Sequence, residues 1–238
     1  MKANTINSAS AINAINQCKR KYYYQYKEKI PGKKNIYLMG GDIVHKAIKE
    51  KINNSNTDIE KVFDELWNKT DFSELGISRD ELEGHYHEYK QMVFNWEKDF
   101  NPNLNIKSEV RLFSDKYKVI GYVDEIIEEN GKIIIVENKG TDKLKEEHIL
   151  QSAIYSLLYL ENYRKMPDLV LIRLLKSGEK QLIEVDEKLL AKARYECSMM
   201  RLKVISNDIN DYPKNTSGLC KWRTGECSFY ETCRPFKI

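Results

Sequence analysis

Two acidic residues, Asp124 and Glu137, sit on either side of a dipeptide that fixes their relation. Asn130-Gly131 lies between two β-forming runs and is the strongest short-range signal for a two-residue hairpin turn. That turn pairs Glu129 with Lys132. Counting back in register, Asp124 falls directly opposite Glu137, with Cβ atoms ~4.5–5.5 Å apart on one face. Lys139, two residues beyond Glu137, points to the same face. Like charges placed opposite one another are destabilising, and burying them beside an apolar strand is worse. A divalent cation between them removes the conflict; the plainer alternative is that both are solvated strand ends.

Other candidates are weaker singly. His45 borders the apolar stripe of Ile48 and Ile52, one turn after Gly40-Gly41, whose lack of side chains lets a helix approach another backbone closely. Gln151 and Tyr155 are one helical turn apart and share a face, which also suits a core tyrosine with a polar neighbour. Five cysteines occur, at 18, 197, 220, 227 and 233. The odd count and the polar N-terminus, with no secretory signal, argue against a disulfide framework and for metal or redox use. Cys197, near Tyr195 and Met199 in a predicted helix, reads as a buried bystander.

Charge is as uneven as the cysteines. The chain totals +3, but residues 19–34 carry a net +6 and residues 213–238 a net +3, leaving −6 for the rest. Tyr22, Tyr23, Tyr24 and Tyr26 interleave the first basic run. That mixture suits backbone contact with base stacking on a single strand, or else a solvated helix face with its tyrosines packed inward.

These residues need elements to hold them. Ser8 or Ser10 can cap a helix running to about Lys27, ended by Pro31-Gly32. Further helices are expected after Gly40-Gly41 and over about 57–69, 78–99, 145–163 and 187–206. Strands are expected over 108–113, 117–128, 132–138, 169–175 and 181–185, with an irregular tail from Asn207. The order of elements gives an α/β or α+β core. At 238 residues, 28.0 kDa and 41% apolar content the chain can bury a real core. A mean hydropathy of −0.62 with no long apolar run excludes a membrane span, so no membrane partner and a cytoplasmic location are expected.

Taken together, these motifs resemble the PD-(D/E)XK nuclease superfamily, and within it the RecB-like iron–sulfur exonucleases: the CRISPR-associated exonuclease family Cas-four, the AddB-type recombination nucleases and phage relatives. The resemblance rests on Gly41-Asp42-Ile43-Val44-His45 as the motif-one helix, Gly121-Tyr122-Val123-Asp124 as motif two and Ile135 to Thr141 as the acid-x-Lys strand. Gln151 to Tyr155 matches the Gln-x-x-x-Tyr motif, and Cys18 with three late cysteines completes the pattern. The sequence departs from the family in having Glu137 for the commoner Asp, Asn138 for a bulky residue, and a C-x6-C-x5-C spacing.

The resemblance implies an α/β, restriction-endonuclease-like core: a mixed central sheet flanked by helices, with an iron–sulfur staple joining the N- and C-terminal segments. Residues 1–238 would form one nuclease domain, with cysteine regions at 1–35 and 207–238, a helical part at 36–100 and a catalytic core at 104–206. It implies a Mg²⁺- or Mn²⁺-dependent DNA exonuclease acting on single-stranded ends, in CRISPR adaptation, recombination and repair, or phage DNA metabolism. His45, Asp124, Glu137 and the Asn138 backbone carbonyl would hold the metal; Lys139 would stabilise developing charge, with Gln151 and Tyr155 positioning it or the phosphate. Cys18, Cys220, Cys227 and Cys233 would bind a [4Fe–4S] cluster, structural zinc being the competing ligand. Arg20, Lys21, Tyr22 and Tyr26 would contact DNA, and CRISPR adaptation or recombination proteins would be partners on separate chains. Two other functions are open: a weakly active or inactive DNA-binding module in a partner complex and, more distantly, an iron–sulfur redox protein.

Overall fold

The computed structural model of the chain describes residues 6–222 and 225–235. A two-residue strand β1 (Asn7–Ser8) leads into helix α1 (Ala9–Gln17), capped by the Ser8 hydroxyl, which accepts the Ala11 N–H at 3.0 Å. The helix expected to run on to Lys27 breaks at Cys18, whose backbone is extended at φ −159°, ψ 114°. A short helix α2 (Lys19–Tyr22) and a π-helical turn (Tyr23–Lys27) follow. The break turns Cys18 out of the helical repeat, and its side chain lines a cavity shared with the tail.

Helices α3 (Ile36–Asn53), α4 (Ile59–Lys69) and α5 (Arg79–Glu97) pack around a core of their own that includes Phe63, Trp67, Tyr89 and Trp96. Helix α3 starts earlier than Gly40-Gly41, because Asn35 caps it by accepting the Leu38 N–H. Gly40 therefore lies inside the helix, and what it admits is an aromatic ring and not a backbone: a Cβ there would stand 2.3 Å from the Tyr89 ring.

The sheet comprises β2 (Asn105–Ser114), β3 (Val119–Glu129), β4 (Lys132–Lys139), β5 (Leu169–Leu174) and β6 (Glu179–Glu184), with β1 added at one side. The pairs β2–β3, β3–β4 and β5–β6 are antiparallel, while β4–β5 and β1–β3 are parallel. Asn130 and Gly131 both take positive φ, 51° and 77°, as a type I′ turn requires, and the hairpin pairs Glu129 with Lys132 back to Glu125 with Val136. Helix α6 (Glu146–Tyr163) makes the crossover from β4 to β5, and its many buried residues, Leu150 to Tyr159 among them, fill the main core with α1 and α7 (Glu187–Lys203). The result is an α/β fold with a mixed sheet flanked by helices. Among the described residues no helix is long and apolar enough to cross a membrane.

The tail is tied to the N-terminal helices. It contains strands β7 (Lys221–Trp222) and β8 (Gly225–Glu226) and a helical turn α8 (Tyr230–Cys233). Asn215 Nδ2 donates to the Gln17 carbonyl at 2.7 Å, the Lys33 N–H donates to the Ser228 carbonyl, and Tyr24 packs on Phe229 with ring centroids 5.8 Å apart. The two basic segments, far apart in sequence, therefore meet.

Candidate active site

The acidic residues stand at a fork in the sheet. The C-terminal half of β3 pairs with β4, its N-terminal end pairs with β1, and the β3–β4 ladder stops at Glu125–Val136. At the next position Asp124 takes over with its side chain: Oδ2 accepts the Asn138 N–H at 2.7 Å. Oδ1 of the same carboxylate lies 3.4 Å from His45 Nδ1 on α3. Glu137, 3% exposed, faces Asp124 from β4 and receives a hydrogen bond from Lys139 Nζ. Lys139 also donates to Gln151 Oε1 at 3.0 Å, and Gln151 Nε2 donates to the Tyr155 hydroxyl at 2.8 Å. Two runs of polar contacts thus meet at neighbouring residues of β4: Tyr155, Gln151, Lys139 and Glu137 from the α6 side, and the Asn138 N–H, Asp124 and His45 across β3 to α3. Gly121 owes its identity to this arrangement: a Cβ there would stand 2.7 Å from the Tyr155 ring.

Electrostatics divide the two acids. Burial pushes the Glu137 carboxyl up to about 7, with the Asp124 charge adding to the shift and Lys139 opposing it. Burial acts on Asp124 too, but the adjoining His45 and Lys139 charges and the Asn138 N–H outweigh it and hold that carboxyl low. Asp124 in turn raises His45 to about 9, against the pull of desolvation. In the metal-free protein at pH 7, His45 therefore carries its proton and Glu137 is part-protonated. A cation needs the neutral imidazole and the carboxylate, so its binding must displace these protons. Calorimetry of Mn²⁺ binding in buffers of different ionisation enthalpy should show release of more than one proton per site at pH 7, falling toward none above pH 10. Affinity should rise over the same window; pH-independent binding would contradict the coupling.

Glu109 on β2 is a member of this site that the sequence reading missed. Among the described residues, His45, Glu109 and Asp124 form the only group of three or more His, Cys, Asp or Glu side chains with ligand atoms within 4.8 Å of one another. His148 was missed as well. It is buried beside Lys139 and Gln151, and burial with the nearby Lys139 charge lowers its pKa to about 4, so it is neutral at physiological pH.

The expected DNA contacts divide. Lys21 and the half-buried Tyr26 line a cleft of about 260 Å³ with Lys139, Gln151 and His148. Tyr22 does not: it is fully buried, donates to Asn7 Oδ1 at 2.9 Å and stacks between Tyr26 and Tyr212, so it has no face to offer a base. Arg20, partly exposed, gives two donors to the tail, with Nε on the Tyr212 carbonyl at 2.7 Å and Nη2 on that of Ile209 at 3.3 Å. Tyr22 is thus corrected from a nucleic-acid contact to a part of the framework.

Cys18, Cys220, Cys227 and Cys233 line one cavity of about 740 Å³ with Tyr24, Phe229 and Tyr230. All four thiols are free, and no three are close enough to join a single-ion ligand group. Cys197 is fully buried in the main core, where desolvation pushes its thiol up to about 12.

A mixed sheet whose fork carries facing acids, a lysine two residues beyond the second acid and a Gln-x-x-x-Tyr helix is the core of a PD-(D/E)XK nuclease. The chain belongs to that superfamily, whose model matches residues 7–234. In fold it is similar to a solved Eubacterium rectale structure described as a "putative exonuclease", at 12% identity and a TM-score of 0.58, covering 99% of this chain and 89% of that one. A solved structure described as SSO0001 aligns at 17% identity with a TM-score of 0.31, over 76% of this chain and 84% of that one. No curated protein sequence matches the chain.

Proposed function

We propose that this protein is a divalent-metal-dependent DNA exonuclease that acts on single-stranded ends. The observation that carries the reading is the fork, where the half-buried Asp124 and the buried Glu137 face each other, with Lys139 bonded to the second acid and His45 beside the first. Asp124, Glu137, His45 and the Asn138 carbonyl would hold Mg²⁺ or Mn²⁺, which supplies Lewis-acid polarisation of a phosphate and a more acidic bound water. Lys139 stands ready to balance charge that develops on the phosphate, and Gln151, itself held by Tyr155, orients the ammonium. The cleft beside Lys139, with Lys21 and Tyr26 on its wall, suits a single strand that offers phosphates to a cation and bases to a ring.

The four cysteines of the tail cavity would carry a [4Fe–4S] cluster that locks α1 and α2 to the tail. What supports the reading is that all four cysteines line one cavity between the N-terminal helices and the tail; structural zinc is the competing occupant. A role in CRISPR adaptation, recombination or phage DNA metabolism, with partner proteins on other chains, follows from the family resemblance alone.

One anaerobic preparation tests both halves of the reading. It should be brown and contain iron, and with Mg²⁺ or Mn²⁺ it should shorten end-labelled linear single strands while sparing a circular single strand. Cutting of the circle would make it an endonuclease, and binding without cutting would make it a DNA-binding module. A colourless sample with stoichiometric zinc would reject the cluster.

A further inference from the structure

Helix α6 opens on the cleft with a histidine that has a donor to spare. Its N-cap residue is Lys145, and His148, three residues on, turns back to it: the Lys145 N–H donates to His148 Nδ1 at 3.3 Å. Glutamate or glutamine is the usual residue for this bond. Histidine supplies the same acceptor without a negative charge. Because Nδ1 accepts, the single proton of the neutral ring sits on Nε2. His148 is 7% exposed, and burial with the nearby Lys139 charge keeps it neutral. Nε2 makes no hydrogen bond among the described residues, and the Glu147 carboxylate, 3.9 Å away, is too far for one. Capping the helix uses Nδ1 alone, so it does not account for the ring's place on the wall of the cleft.

The cleft suits an anion. Its wall brings together Lys21, Lys139, Gln151 and His148, and the acid on it is Glu147. That carboxylate is already engaged: Oε2 accepts from Gln17 Nε2 at 2.5 Å, and Oε1 lies 3.8 Å from Lys145 Nζ. Lys21 donates to Gln17 Oε1 at 3.3 Å, which uses one of its three donors. Asp124, Glu137 and His45 do not line this cleft, whereas Lys139 does. Lys139 is thus the border between the acids and the cleft. A strand with its scissile phosphate beside the acids would lay a neighbouring phosphate, not the reacting one, against Lys21 and His148.

We propose that His148 is a substrate-binding residue whose Nε2–H, together with Lys21, grips the phosphodiester of a single DNA strand next to the one that is cut. The inference rests on the nuclease reading above for the place of the cut and deepens it. The grip itself requires no metal and no bond breaking, so it can be measured apart from cleavage.

The test is fluorescence anisotropy of the full chain in chelator, on short single strands that each carry one neutral methylphosphonate linkage. Wild type should lose about ten-fold in affinity when the neutral linkage falls at one position near the end. His148→Leu should bind the unmodified strand about ten-fold more weakly and lose little more at that position. His148→Gln keeps an acceptor for the cap and a donor for the cleft and should bind as wild type does. His148→Glu keeps the cap and should melt no lower than wild type, yet it puts a carboxylate on the cleft and should bind more weakly still. It separates the phosphate contact from the helix cap. With Mn²⁺ added, the loss in cleavage should fall on KM more than on kcat. The same penalty at every linkage in wild type and His148→Leu, or wild-type affinity in His148→Glu, would overturn the contact even if the protein cuts DNA. The expected binding pattern in a wild type that cuts nothing with metal would overturn the nuclease reading and leave the phosphate contact standing.

Discussion

Replacing Lys139 with alanine should lower the rate of DNA cleavage by about 10³-fold or more while leaving DNA affinity within a few-fold of wild type. Lys139 is a fifth exposed and its ammonium bonds both Glu137 and Gln151, so its charge reaches the point where a phosphate would sit beside the acids. Affinity for a strand comes from many phosphate contacts, and losing one lysine should cut the salt dependence by about one ion. The variant has a second consequence that must be separated from the first. Lys139 helps hold the Glu137 carboxyl down against burial and the Asp124 charge, so its loss favours the protonated acid and weakens cation binding near neutrality. Higher Mn²⁺ or higher pH should therefore restore occupancy but not cleavage. Single-turnover assays on end-labelled strands, run beside fluorescence anisotropy, separate the two effects; wild-type cleavage by Lys139→Ala with metal present would remove Lys139 from the chemistry.

How much of this site could be read in advance depended on turn chemistry. Asn130 and Gly131 tolerate positive φ, so the sequence itself declares a type I′ turn, and the Asp124–Glu137 relation follows by counting. The loop between β2 and β3, Asp115-Lys116-Tyr117-Lys118, contains no such dipeptide, and its left-handed position is taken by Lys118 at φ 53°. Without a readable turn the β2 register was open, and Glu109 could not be set opposite Asp124. Tyr22 failed for another reason. Whether a tyrosine in a basic helix faces DNA or core depends on what covers it, and here the cover is Tyr212, from a tail with no hydrophobic period. The early break at Cys18 was also hidden, since an extended residue between two helices leaves the surrounding composition unchanged. The order of helices and strands was legible throughout the core, because the pattern there is set by burial on one face or two.

The feature least visible in sequence lies directly behind the acids, and it supports the second large effect. Glu125 is fully buried on β3; its Oε1 accepts from Arg173 Nη1 at 2.6 Å, Trp96 Nε1 at 2.7 Å and Asn138 Nδ2 at 2.7 Å. The guanidinium of Arg173 also lies over the Trp96 ring, 5.9 Å from its centroid. A Glu and an Arg 48 positions apart read in sequence as ordinary strand charges, yet here they pin α5 to the sheet. They also explain Asn138: its side chain bonds Glu125 while its N–H bonds Asp124, so one residue ties the buried pair to the fork. Arg173→Met should destabilise the protein by about 3–5 kcal/mol, because it strands a carboxylate that has no water to turn to. For a chain of this size that is a fall in melting temperature of roughly 6–20 °C. Pairing it with Glu125→Leu should recover much of the loss by removing the stranded charge. Cleavage should recover less, since Asn138 would then have no anchor behind the acids. A melting temperature unchanged in Arg173→Met would show that the pair does not brace the sheet, and full recovery of cleavage in the double variant would show that the fork keeps its geometry without it.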